Sequence, residues 1–200
     1  MSGFFHTRPS HAVLGILTFV ALFNLVFFGL WIQALEAAVT PLGMNVLNIE
    51  FAVLPEIMDG LIGMMSAANV LHVEVTIDQL DVFMMPGWVI VFFCIQLIGI
   101  RALRALDESH GLRRISWKLL AFPILAGACD TVENFLIYHV LTNPSSYARP
   151  AVGIMFIFVM AKWTMLVTSM VLGGIMNMKV VSVVIKRAMA HAAVPTSKQL

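Results

Sequence analysis

Asp130-Thr131-Val132-Glu133-Asn134 interrupts an otherwise apolar run over residues 119–141. A run of that length meets the ~20 apolar residues needed to cross a bilayer core. A lipid-facing charge at its centre would cost roughly 2.5–3.5 kcal/mol on the insertion scale. The two facts are compatible if the carboxylates turn inward, towards other protein. Asp130 and Glu133 are spaced i, i+3, and Asp130 and Asn134 i, i+4, so on a helix the three side chains share one face.

The rest of the chain supplies the surroundings that such a helix needs. It has 200 residues, 60% of them hydrophobic and 12% charged, which lies outside the range of soluble globular domains. The formal charge of +1 argues against nucleic acid as a partner. Apolar runs at residues 12–35, 83–100, 119–141 and 151–177 predict an all-α, polytopic membrane four-helix bundle. The first run is longer than the 7–15 residues of a signal-peptide core and reads as a retained helix. Pro86 near the start of the second run suits a first turn, and Pro123 is expected to bend the third.

Lys and Arg set the expected orientation. Arg8, then Arg101, Arg104, Arg113, Arg114 and Lys118, then Lys179, Lys186, Arg187 and Lys198 mark the N-terminus, the 101–118 connection and the 178–200 tail as cytoplasmic, both termini inside. Leucines, Ile115 and Trp117 alternate with the basic residues of the connection, a pattern expected to anchor on anionic lipid headgroups. The outer loop, residues 36–82, is long enough to have structure of its own. Pro55 at a helix N1 position, with Glu56 and Asp59 in the first turn, predicts an amphipathic helix over residues 55–70. Its apolar face would be Ile57, Met58, Leu61, Ile62, Met64, Met65 and Ala68, lying on the outer leaflet or capping the bundle.

Residues 72–78 alternate strictly and read as a short extended segment. His72, Glu74 and Asp78, with Asp81, are the weak candidates for a cation at the outer face, against the plainer reading of a solvated acidic linker. No metal is expected, because the spacing matches no defined metal loop. His6, His11, His72, His110, His139 and His191 are isolated from one another. Cys94 and Cys129 both lie inside apolar runs, so no disulfide framework is expected.

Lys162 lies inside the fourth run, at the depth of Asp130 in an antiparallel neighbour, so a Lys162–Asp130 contact needs no special geometry. Glu133, one turn further out, is placed to share the ammonium. Asn24 and Gln96 lie at similar depth on the other two helices. The candidate ligand-binding set is therefore Asp130, Glu133, Asn134, Lys162, Asn24 and Gln96. Three charged residues placed singly would cost about 8–10 kcal/mol, so the third helix inserts only marginally without partners.

Three readings stay open. The cluster lines a pocket for a small hydrophobic or amphipathic ligand or a cation. Alternatively it is internal glue in a structural or assembly subunit, with a protein partner or a second copy of the chain as neighbour. The third is a lipid-modifying enzyme with Glu133 or Asp130 as acid/base. Nothing in the sequence marks a nucleophile, an oxyanion site or a cofactor motif, so catalysis is not required and no cofactor is expected.

The stretch Pro123-Ile124-Leu125-Ala126-Gly127-Ala128-Cys129-Asp130-Thr131-Val132-Glu133-Asn134 resembles the P-x-L-A-G-x-x-D-x-x-E-N pattern of small uncharacterised bacterial four-helix membrane proteins. The resemblance implies that Asp130, Glu133 and Asn134 belong to a recurring pattern and carries no known activity; with the charge bias it points to a bacterial plasma membrane. In architecture alone the chain is similar to the emopamil-binding and sigma-2-like group, whose pockets bind sterols with buried acids.

Overall fold

A computed structural model describes residues 10–105 and 118–192. Six α-helices occur among them: α1 (His11–Val39), α2 (Val46–Glu50), α3 (Pro55–Ala67), α4 (Leu71–Ala105), α5 (Ala121–Thr142) and α6 (Pro150–Ala192). The described residues contain no strand. Helices α1, α4, α5 and α6 are each long and apolar enough to cross a membrane. Arg113 and Arg114 lie outside the described residues.

Two helices run further than hydropathy suggests. Helix α4 starts at Leu71, well before residue 83, so residues 72–78 are helical and not extended. Their period-two pattern is equally a helical one, because the buried positions Glu74, Ile77 and Asp78 recur at i, i+3 and i+4. Pro86 therefore lies in the interior of α4, not in its first turn. Pro123, in turn, is in the first turn of α5, where its missing N–H costs no helical bond. Helix α6 continues past residue 177 to Ala192 through Lys179, Lys186 and Arg187.

Helix α4 is the axis of the bundle and packs against α1, α5 and α6. Glycines set the close approaches. At Gly87 a Cβ would meet the Ala21 carbonyl oxygen at 3.0 Å and the Asn24 amide oxygen of α1. At Gly127 of α5 it would meet Val89 of α4 at 2.7 Å. Pro86 deprives the Val82 carbonyl of its helical donor, and one residue along Asn24 Nδ2 donates to the Phe83 carbonyl at 3.1 Å. Asn24 thus braces α1 against the proline-interrupted stretch of α4. Gly87→Ala is expected to push α1 off this contact and destabilise the protein by about 1–3 kcal/mol; equilibrium unfolding in micelles indistinguishable from the parent would contradict the contact.

Two apolar clusters occupy the ends of the bundle. At one end Leu14, Cys94, Leu97, Ile100, Leu103, Leu120 and Met176 pack together. At the other, α3 lays Met58, Leu61, Ile62 and Met65 onto Ile137, Val140, Leu141, Val152 and Met155. Only this i, i+3, i+4, i+7 stripe is buried, while Ile57 and Met64 are about half exposed. Helix α3 is therefore a cap on the helix ends.

A polar latch fixes the cap to the α5–α6 connection. Tyr147 donates a hydrogen bond to Asp59, and Arg149 bonds Asp59 at 2.9 Å and reaches Glu56 at 3.5 Å. The bond from Tyr147, ahead of that from Arg149, holds the Asp59 carboxyl below its ordinary value. Burial, then the bond to Asp59, pushes the Tyr147 hydroxyl up to about 12. A depressed carboxyl contributes stability above its unfolded value, which is lost as pH falls through the folded one; a raised phenol contributes below its unfolded value, which is lost as pH rises towards the folded one. The latch is thus expected to loosen at both extremes. Tyr147→Phe is expected to return the Asp59 titration, followed by NMR, towards the ordinary carboxylate range; an unmoved titration would exclude the bond.

Candidate functional site

Between the two apolar clusters lies a polar layer. Lys162 on α6 and Asp130 on α5 each sit about 18 Å from the loop joining their helices, at ~1.5 Å per residue. Lys162 Nζ is 2.9 Å from Asp130 Oδ1 and 2.8 Å from Glu133 Oε1. A third carboxylate, Glu50, closes the site at 3.3 Å. It is the last residue of α2, in the connection between the first two spans. Lys162, Asp130 and Glu133 are 4%, 2% and 0% exposed, so the ammonium is dry, with three carboxylate oxygens within 3.3 Å and a hydrogen bond to that of Glu133. Glu50 Oε2 also accepts from Trp163 Nε1 at 3.2 Å.

The remaining candidates divide. Asn134 joins the layer, donating to Asp81 Oδ2 at 3.0 Å. Gln96 does not: its amide nitrogen bonds the Ser169 hydroxyl, two turns along α6 from Lys162. Asn24 is occupied by the α4 backbone, as described above. His72 is exposed and faces away from Glu74 and Asp78, because a two-residue step turns a helix by about 200°. Hence His72, Glu74 and Asp78 do not converge, and among the described residues no three His, Cys, Asp or Glu are arranged to hold a metal ion.

Glu74 and Asp78 point elsewhere. Together with Glu50, Asp81 and Asn134 they line a cavity of about 70 Å³ beside the Lys162 cluster, walled by Ile32, Ile49, Ile77, Met84 and Ile137. Glu74 is 3% and Asp78 7% exposed. The ion pairs of the described residues give neither of them a cation. Glu50, Glu74 and Asp81 share the cavity lining with Asp78, so the charged side chains of its wall are all acidic.

No family model, curated protein or solved structure matches the chain. The chemistry of the site is therefore read from its geometry. Three carboxyls, those of Glu50, Asp130 and Glu133, meet one ammonium, and Glu74, Asp78 and Asp81 lie around the cavity beside them. Lys162 balances at most one of them, and Asp130 Oδ2 and Glu133 Oε2 are buried without a hydrogen-bond partner. Low dielectric makes unbalanced charge expensive, so the layer favours protons or a cation in the cavity. Glu50 is not among the expected residues, and Glu74, Asp78 and Asp81 are expected only as weak cation candidates beside His72, outside the Lys162 set. For these three a signal was present: they follow the i, i+4, i+7 spacing of one helix face.

Proposed function

We propose that this multi-pass membrane protein binds a small, singly charged cation of ammonium size in the acid-walled cavity of α4. The observation that carries the reading is Asp78, buried against a cavity whose charged lining side chains are all acidic. The volume suits the ligand. At about 70 Å³ the cavity is roughly half the ~150 Å³ that holds a benzene ring, which admits an ammonium or methylammonium group and excludes a whole sterol. Lys162, held by Glu50, Asp130 and Glu133, works as a strut that ties α2, α5 and α6 together and fixes the cavity wall. In this the internal-glue reading applies to the lysine cluster, and the ligand reading to the cavity beside it. The arrangement asks for no catalysis.

On this reading both termini face the cytoplasm of a bacterial cell, and the cavity lies in the outer half of its plasma membrane. Arg101, Arg104, Arg113, Arg114 and Lys118 meet anionic headgroups on the opposite side. Trp163 reports on the site, because its indole N–H is bonded to Glu50, a wall of the cavity. In neutral micelles methylammonium is expected to change the Trp163 fluorescence saturably, with Trp163→Phe as the blank, and Asp78→Asn is expected to abolish the response. Equal responses of parent and Asp78→Asn, or none in the parent, would exclude the cavity as a cation site.

A further inference from the structure

A second opening adjoins the acidic cavity. Between α4 and α5 a groove of about 460 Å³ runs along the flank of the bundle, and Asp78 and Asn134 belong to its lining as well as to that of the cavity. The rest of the groove is dominated by Val82, Phe83, Phe135 and Tyr138. These are 40%, 60%, 69% and 41% exposed, so the groove is open along its length. Both helices are long and apolar enough to cross a membrane, and lipid chains would have direct access to it.

We infer that the ligand is a cationic amphiphile, a long-chain primary amine whose ammonium enters the cavity at Asp78 while its alkyl chain lies in the groove against Phe83, Phe135 and Tyr138. The inference rests on the proposed cation site and adds the class of molecule that reaches it. Two complementary surfaces meet at Asp78 and Asn134, one anionic and small, the other apolar and elongated. A molecule that matches both carries one positive charge at the end of an apolar chain. A zwitterionic phospholipid does not match, because its phosphate would be placed against Glu74, Asp78 and Asp81. A fatty acid is excluded for the same reason. The membrane concentrates and orients such an amine, and the groove lets it arrive sideways, so the cavity needs no opening to water wide enough for the chain.

Chain length alone is a poor test, since longer amines also partition more strongly into micelles. The position of the chain is a better one. A decylamine bearing a photoreactive diazirine at the chain end is cross-linked to the purified protein in neutral micelles, and the labelled peptides are identified by mass spectrometry. The expected labels fall on the α4 and α5 peptides that contain Phe83, Phe135 and Tyr138. Excess methylammonium and Asp78→Asn should each reduce them at least tenfold, whereas the matching alcohol labels the exposed face of α1, at Phe19, Phe23 and Phe27, as readily as the groove. Val82→Trp, which fills the groove from an exposed position, should remove the labels and leave methylammonium binding intact. Amine labels spread over α1 in the manner of the alcohol, with methylammonium still bound, would overturn the amphiphile and leave the cation site standing. Absence of methylammonium binding as well would overturn both.

Discussion

Lys162→Met is expected to destabilise the protein by about 3–5 kcal/mol, the cost of leaving buried charge without its partner. Methionine fills most of the space of the lysine stem, so the loss is one of charge rather than of packing. Three carboxylates now converge on the ammonium at 2.8–3.3 Å, and without it the bond from Trp163 to Glu50 is the one polar contact described for them. Equilibrium unfolding in micelles measures the effect. The same experiment separates charge from shape: adding Asp130→Asn and Glu133→Gln to Lys162→Met should recover part of the loss, because of the three carboxylates only Glu50, which keeps its bond from Trp163, then remains charged. An additive further loss in the triple variant would mean that the cluster acts by packing.

Asp78→Leu is expected to have the opposite sign. Among the described residues no ion pair gives this buried carboxyl a cation, and the charged side chains that share its cavity are all acidic. Removing a buried polar group that lacks a compensating partner should stabilise the fold by about 1–3 kcal/mol. The variant should at the same time lose the methylammonium response. This pairing of gained stability with lost binding is the behaviour of a side chain kept for a ligand. A structural carboxyl would behave like Lys162 and lose stability on replacement, so unfolding of Asp78→Leu distinguishes the two directly.

Which parts of this were readable in the sequence follows from what hydropathy measures. Four apolar runs were visible because crossing a bilayer requires them, and the structure has four helices long and apolar enough to do so. Helix limits were less visible. Glu74, Asp78 and Asp81 look like the end of a span when charge alone is counted, yet they lie within α4 and turn towards the cavity. Lys179, Lys186 and Arg187 end an apolar run but not α6, where neither Gly nor Pro intervenes before Ala192. The Lys162–Asp130–Glu133 contact was legible because depth along antiparallel helices can be counted in residues. Direction around the helix axis cannot be counted across helices in the same way, which is why Asn24 bonds the α4 backbone instead, while Gln96 meets Ser169 two turns along α6 from the depth of Lys162. Glu50 had no signal at all: it lies on a five-residue helix in a connection, and only the packing of this segment against α6, where Phe51 stacks on Trp163, brings it to Lys162.

The cation site can be tested without any variant. Rubidium is close to ammonium in size and scatters anomalously, so diffraction from crystals grown in rubidium salts locates it independently of the protein density. The account predicts an anomalous peak inside the cavity within contact of Asp78 and Glu50, which disappears when methylammonium replaces rubidium. A cavity without a peak, with Glu74 and Asp78 instead hydrogen-bonded to protein groups, would contradict the site and return the whole polar layer to a structural role.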